Sequence, residues 1–204
     1  MGTLASNRKG FIVGTSANTY QNALVTSTGS AQDSQTTTQN GVQYFQSSGR
    51  GGGTFRFIRT FLHFDTSNIS GGSSFLLQLT SGGSNNEGTV SNVTAIKHTA
   101  GSSNGSALSS SDFDNIDRNT AYSSSTEFTS SGTITFTLNA TAADEINSGS
   151  NFNVALLLTS DATQAEEPPL EEDGDITNQI AFGSTIQLSF TDPASSGYSH
   201  KVSS

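Results

Sequence analysis

The chain has 204 residues, a formal net charge of −9 and no cysteine. The negative charge argues against nucleic acid as a partner, since phosphate binding needs Lys and Arg, and the lack of cysteine excludes disulfides and thiolate chemistry. Only 12% of the residues are charged, so the surface depends on hydroxyl and amide groups and suits packing against other surfaces or sugars.

Short apolar runs, separated by turns rich in Ser, Gly and Asn, follow one another along the chain. Runs of this length that alternate apolar and polar residues are typical of strands, each adding one face to a shared core. Eight runs are predicted as strands: residues 10–15, 42–46, 54–65, 74–80, 89–97, 132–139, 151–159 and 184–191. They predict an all-β fold, an antiparallel, jelly-roll-like β-sandwich with one or two short helices.

The alternation also predicts which side of each strand faces the core. In residues 133–139, Ile134, Phe136 and Leu138 point one way and the threonines between them point the other. The same argument, applied to the other strands, gives a predicted core of twelve residues: Leu62, Phe64, Leu77, Leu79, Ile134, Phe136, Leu138, Val154, Leu156, Ile186, Leu188 and Phe190.

The strand at residues 54–65 is apolar on both of its faces. Leu62 and Phe64 share one face, and three phenylalanines lie on the other: Phe55, Phe57 and Phe61. Three rings left in water would form a patch that soluble monomers rarely show. The second face is therefore covered either by a local loop such as 21–40 or by another subunit in a closed dimer or trimer, in which case the three rings are interface residues.

Two short helices are predicted between the strands. One begins near Thr141, with Asp144 three residues later and Gly149 at its end, and it turns Ile146 toward the core. The other covers residues 111–118, which include the acidic sequence DFDNID. Calcium binding is the alternative for that sequence, but the positions that an EF-hand loop needs for Gly and Glu hold other residues. No cofactor is predicted, although a structural calcium elsewhere stays open.

Residues 1–193 are predicted to form a single domain, and residues 194–204 a C-terminal arm. The basic N-terminus leads into a three-residue apolar run, which is too short for the core of a signal peptide, and no run is long enough to insert into a membrane. We therefore expect synthesis and assembly in the cytoplasm.

No catalytic constellation is found, so the chain is predicted not to be an enzyme. His63 and Asp65 share a strand face, but no third group accompanies them at a recognisable spacing, and a structural role is favoured.

A second candidate interface is charged. The segment AEEPPLEEDGD, residues 165–175, is read either as a solvated loop or as a projection that docks on a basic surface. The acidic candidates for that contact are Glu171, Glu172 and Asp173, and the basic candidates, in a neighbouring subunit or within the chain, are Arg50, Arg56 and Arg59.

The order of the motifs resembles that of a known family. RTFLHFDTSNISG followed by SSFLLQLTS is similar to the Arg-x-Phe-Leu-x-Phe-Asp-x-Ser-x-Ile signature of the DNRLRE-type jelly rolls, which are carbohydrate-binding-module-like domains. The segment TITFTLNATAADEINSGSNFNVALLLTS resembles the family's strand, short helix and strand ending in leucines, and STIQLSFTDP resembles the closing strand.

Proteins with this signature also resemble certain virion components of tailed phages, which likewise lack signal peptides and cysteine. The resemblance implies a non-enzymatic structural protein of the virion, a capsid decoration or head-fibre subunit first and a tail or adhesin component next. Its partners would be other virion proteins and further copies of itself. The alternative is a carbohydrate-binding module that holds a surface glycan, with four tyrosines as candidates for stacking on a sugar ring: Tyr20, Tyr44, Tyr122 and Tyr198.

Overall fold

A computed structural model describes residues 1–33, 41–47, 53–86, 92–99, 107–128, 131–164 and 176–193. The strands in these ranges are β1 Gly2–Ala5, β2 Arg8–Gly14, β3 Gly29–Asp33, β4 Gly41–Ser47, β5 Thr54–Asp65, β6 Ser73–Asn86, β7 Asn92–His98, β8 Ile116–Ala121, β9 Thr126–Glu127, β10 Thr133–Thr137, β11 Asn151–Leu158 and β12 Ile176–Thr191. The helices are α1 Tyr20–Leu24, α2 Ala140–Asn147, α3 Thr159–Ala162 and a 3₁₀ helix, Ser110–Asp114.

All of the strand pairs among these elements are antiparallel. The main path of hydrogen-bonded neighbours runs β10-β6-β12-β4-β5-β11-β7-β8, with β1 beside β12, β2 beside β5, β3 beside β2 and β9 beside β7. The buried apolar side chains form one cluster, to which strands from both ends of this path contribute. The predicted all-β, sandwich-like fold with short helices is confirmed.

The centre of this arrangement is β5, which has neighbours along both edges. Its first half pairs with β4 and its second half with β11. Because Ile58 faces both Gln43 and Val13, and Phe61 faces both Ala155 and Gly10, β4 and β11 must share one edge of β5 while β2 takes the other. The Thr60 hydroxyl donates to the Gly41 carbonyl at 2.6 Å, at the point where β4 gives way to β11.

The segment between β1 and β2 connects β12 with β5. The Ser6 amide donates to the Ile186 carbonyl at 3.1 Å, and the next amide, that of Asn7, donates to the His63 carbonyl at 3.1 Å. Two consecutive residues therefore bond to β12 and to β5, and the chain passes directly from one of these strands to the other.

The predicted core is largely correct. Eleven of its twelve residues are buried; the exception, Phe190, is partly buried and packs against the cluster, with its ring 5.7 Å from that of Phe75. The side-chain phase assigned to the predicted strands therefore matches the structure, because a period of two leaves only one way to bury the apolar set.

One of the two predicted helices is present in the structure, and the other is present only in its first half. The helix expected to begin near Thr141 starts at Ala140 instead, because the Asn139 side chain accepts a hydrogen bond from the Ala142 amide at 3.1 Å and so forms the N-cap. Its end agrees with the prediction: Ile146 is buried, and Gly149 has a φ of +73°, in the region that favours glycine.

The helix predicted at residues 111–118 is wrong in its second half. A 3₁₀ helix covers only Ser110–Asp114, and a capping box between Ser109 and Asp112 caps its N-terminus. From Ile116 onward the chain is strand β8, because it pairs with β7. The predicted C-terminal arm, residues 194–204, lies outside the described residues.

Leu156 provides a direct test of the core. It is fully buried on β11, so Leu156→Ala should lower the free energy of unfolding by about 2 to 5 kcal/mol, through lost apolar burial and the cavity left behind. The exposed Thr133→Ala is the control and should cost less than about 1 kcal/mol. Urea denaturation measures both. Equal losses in the two variants would contradict the assigned strand phase.

Candidate functional site

The second face of β5 is covered by the chain itself. Phe55, Phe57 and Phe61 have exposed fractions of 7%, 1% and 2%. The ring of Tyr20, the first residue of α1, lies 5.5 Å from the Phe57 ring and 6.4 Å from the Phe55 ring, both edge to face, and the His98 ring lies 4.7 Å from the Phe61 ring. These three phenylalanines are therefore removed from the predicted interface, since enclosed rings leave no surface for a second subunit.

The same face carries a fully buried arginine. Arg59 donates from Nε and Nη2 to the two carboxylate oxygens of Asp161 on α3, both at 2.7 Å. Its Nη1 donates to the Phe113 carbonyl at 2.7 Å, and Nη2 also donates to the Leu24 carbonyl at 2.9 Å. The guanidinium lies 3.9 Å from the centre of the Phe113 ring. Arg59 was predicted as an interface residue, and this is wrong because its charge is satisfied inside the chain.

A second, partly exposed arginine extends this network. Arg118 donates to Asp114 Oδ1 at 3.0 Å and lies 3.5 Å from Asp161 Oδ1. Asp114 also lies 3.6 Å from Nη1 of Arg59. Two arginines and two aspartates thus balance one another at the junction of α1, the 3₁₀ helix and α3. Arg59 and Asp161 form the buried part of the network, Arg118 and Asp114 its partly exposed part, and the geometry fits a structural role.

The remaining charged candidates have mixed outcomes. Arg56 is half-buried, with its guanidinium 4.6 Å from the centre of the Phe45 ring, so an interface role for it stays a prediction. The other four charged candidates lie outside the described residues: Arg50, Glu171, Glu172 and Asp173.

The tyrosines do not form a sugar-stacking platform. Tyr20, Tyr44 and Tyr122 are each at most 2% exposed, and Tyr198 lies outside the described residues. The prediction that the first three stack on a sugar is therefore wrong. In a chain with few apolar side chains, these rings are recruited into the core, where Tyr44 donates to Gln46 at 2.9 Å.

Tyr122 instead fixes helix α2. Its hydroxyl donates to the Glu145 carboxylate, which also accepts from Lys97 Nζ with both oxygens at 3.0 Å. Burial, reinforced by the hydrogen bond and negative charge of Glu145, raises the pKa of Tyr122. The phenol is therefore protonated at neutral pH and acts as a fixed donor between β-sheet and helix.

His63 and Asp65 do not act together in the structure. His63 Nδ1 lies 2.6 Å from Asn153 Oδ1, so this nitrogen carries the proton and donates to the amide oxygen. Asp65 is exposed and accepts from the Ser67 amide at 3.0 Å; hydrogen bonds from Ser67 lower the pKa of this carboxyl. His63 thus bonds across to a neighbouring strand, whereas Asp65 bonds within the turn that follows its own strand.

A small hollow lies beside His63 and has several ionisable groups in its lining. It is lined by Arg8, Lys9, Phe61, Leu62, His63, His98 and Leu108. His63 and His98 are imidazoles of the kind that can act as a general base, but no hydroxyl, thiol or carboxylate accompanies them in this lining.

The acidic sequence DFDNID is also explained by local structure. Asp112 accepts from the Ser109 amide at 2.9 Å, Asp114 pairs with Arg118, and Asp117 accepts from the Thr120 hydroxyl at 2.6 Å. Within the described ranges, no three His, Cys, Asp or Glu side chains are grouped so that they could hold a metal ion.

Comparison of the chain with protein-family models and with curated proteins finds no match. The resemblance to the DNRLRE-type jelly rolls therefore rests on the motifs themselves. In the part of the chain that the structure describes, the longest helix has eight residues, and no helix has the length and apolarity needed to cross a membrane.

Sequence reasoning missed Asp161, the residue on which the buried network depends. It follows the apolar run of β11 by three positions and is 102 residues away from its partner Arg59 in the sequence. The available signal was a carboxylate three positions after a strand that is apolar on both faces. An unpaired charge is costly in such a place.

The buried pair makes a sharp prediction. Asp161→Asn keeps the shape of the side chain but leaves the Arg59 charge without its partner, so the free energy of unfolding should fall by about 3 to 5 kcal/mol. The half-exposed pair of Lys97 and Glu145 is the control, and Lys97→Met should cost less than about 1 kcal/mol. Chemical denaturation of both variants measures this. Equal and small losses would contradict a structural role for the pair.

His98 makes the stability depend on pH. Burial lowers the pKa of His98 from its ordinary value of 6.5, against the opposing effects of the Asn115 carbonyl and Asp112. The unfolded chain therefore binds a proton in a range where the folded chain does not, so stability should fall as the pH drops below about 6.5. His98→Gln should flatten the curve of unfolding free energy against pH in this range. Parallel curves for variant and wild type would rule this out.

Proposed function

We propose that this chain is a non-enzymatic structural protein of a phage virion, a capsid decoration or head-fibre subunit first and a tail or adhesin component next. One observation supports the non-enzymatic part: several polar and ionisable groups of the described residues hold the fold. Arg59 and Asp161 neutralise each other in the interior, Tyr122 donates to Glu145, and His63 contacts Asn153.

The surface supports a packing role. Among the described residues, the only exposed large hydrophobic side chains are Met1 and Val25. Charged residues are few along the whole chain, so what the surface offers is hydroxyl groups, amides and backbone. Such a surface favours contacts with other protein surfaces over binding of charged ligands.

The assignment to a virion rests on the sequence. It is supported by the acidic, cysteine-free composition and by the motifs similar to those of phage virion components. Other virion proteins and further copies of the chain, in a dimer or trimer, are the proposed partners. Glycan binding is the weaker candidate, because burial removes three of the four tyrosines that would stack on sugars.

Virions of the encoding phage test this proposal. Quantitative mass spectrometry of gradient-purified particles should detect the chain at a fixed copy number per major capsid protein. Particles made without the gene should rebind added purified chain to the same copy number, and electron microscopy should then locate the density on head or tail. Absence of the chain from washed particles, together with failure to rebind, would overturn the proposal.

A further inference from the structure

We propose that β10 is a self-association edge, on which β10 of a second copy pairs antiparallel about a two-fold axis at Thr135. The proposal deepens the homo-oligomer part of the proposed function by naming its surface. It rests on that part alone and does not require the chain to be carried on a virion.

The backbone of β10 has one edge that β6 leaves open. At one end of the pairing the Leu138 amide donates to the Phe75 carbonyl at 3.0 Å, and at the other the Ser81 amide donates to the Gly132 carbonyl at 2.8 Å. Antiparallel strands alternate between hydrogen-bonded and non-bonded residues. Positions 132, 134, 136 and 138 therefore face β6, and the N–H and C=O groups of positions 133, 135 and 137 point away from it.

No other strand in the described ranges pairs with β10, which stands at one end of the main strand path. Natural edge strands are commonly protected by charged side chains, proline or bulges. The sequence TITFT has neither charge nor proline, and its pairing with β6 has no register shift. The strand at the other end of the path, β8, differs in both respects: it carries Asp117 and Arg118, and its pairing with β7 is irregular.

The side chains of β10 are self-complementary under a two-fold axis. With Thr135 opposite its own copy, Thr133 lies opposite Thr137, and Ile134 opposite Phe136. The exposed threonines then pair with threonines, a favourable cross-strand contact, while Ile134 and Phe136 stay buried in the core of their own chain. Thr135 is a position whose amide points outward, so the two central residues exchange two hydrogen bonds at the axis.

Charge makes this edge suitable for contact between copies. Each chain has a formal net charge of −9, so two copies repel each other, and the repulsion is smallest where the meeting surfaces are neutral. All five residues of β10 are uncharged. A second copy is therefore the occupant that the edge fits best.

The size of the contact sets its strength. A five-residue strand buries less than the roughly 800 Å² per partner of a standard stable interface, so the dimer should form at micromolar or higher concentration. On a surface that holds many copies close together, the effective concentration is much higher and the same contact becomes saturated.

The mass of the full chain in solution tests the proposal. Light scattering and sedimentation velocity from about 10 μM to about 1 mM, a range chosen for an interface below standard size, should show a monomer to dimer transition. Thr135→Lys places two lysines opposite each other at the axis and should shift the transition by at least about tenfold in concentration. Thr3→Lys, an exposed position on β1 of the same sheet, is the matched control and should leave the transition unchanged.

Two further variants separate pairing from folding. Thr135→Pro removes an outward N–H that bonds to nothing in β6, so it should abolish the dimer while thermal unfolding shows a folded chain. A mixture of the Thr135→Lys and Thr135→Glu variants should form a heterodimer although each alone is monomeric. A wild-type chain that stays monomeric throughout the range, a trimer, or a dimer unaffected by the Lys and Pro variants would overturn the proposal. Detection of the chain on virions would be unaffected by any of these results.

Discussion

The salt bridge between Arg59 and Asp161 is the contact on which the arrangement outside the sheets depends. One guanidinium bonds to the carboxylate on α3, to the last carbonyl of α1 and to the Phe113 carbonyl in the 3₁₀ helix. A charge buried in the interior cannot be left without these partners. Three helices, each too short to be stable alone, are therefore held in place together or not at all.

This arrangement explains how a strand with two apolar faces is accommodated. On one face of β5, Phe64 packs at 6.2 Å from the Phe152 ring of β11, and α2 is fixed nearby through Tyr122 and Glu145. On the other face, Tyr20 of α1 lies against Phe55 and Phe57, and His98 of β7 lies against Phe61. The residues that bond to Arg59 belong to α1, the 3₁₀ helix and α3. The chain has few apolar residues overall, and it concentrates them in the strand that lies between the two covering layers.

The sequence was sufficient to predict the strands and core wherever a periodic apolar pattern was present. The bounds of β5 agree with the prediction because its pattern is long and bounded by glycine and by Asp65. Strands β1, β3, β8 and β9 were missed because they are short or polar and become strands only through their partners. The candidate site was predicted less well, since arginine is usually exposed and tyrosine is intermediate in burial. The contact that buries Arg59 also joins residues 102 positions apart.

The pairing of β1 with β12 also has a consequence for how the chain reaches its native state. Gly2 lies opposite Phe190, so β1 has its partner only after residue 190 has been synthesised. Contacts between such distant residues require a large loop to close, and folds rich in them form slowly. Since β1 leads into β2, which lies against β5, the segment from β1 to β2 links β12 to β5, and this link closes only once β12 is in place.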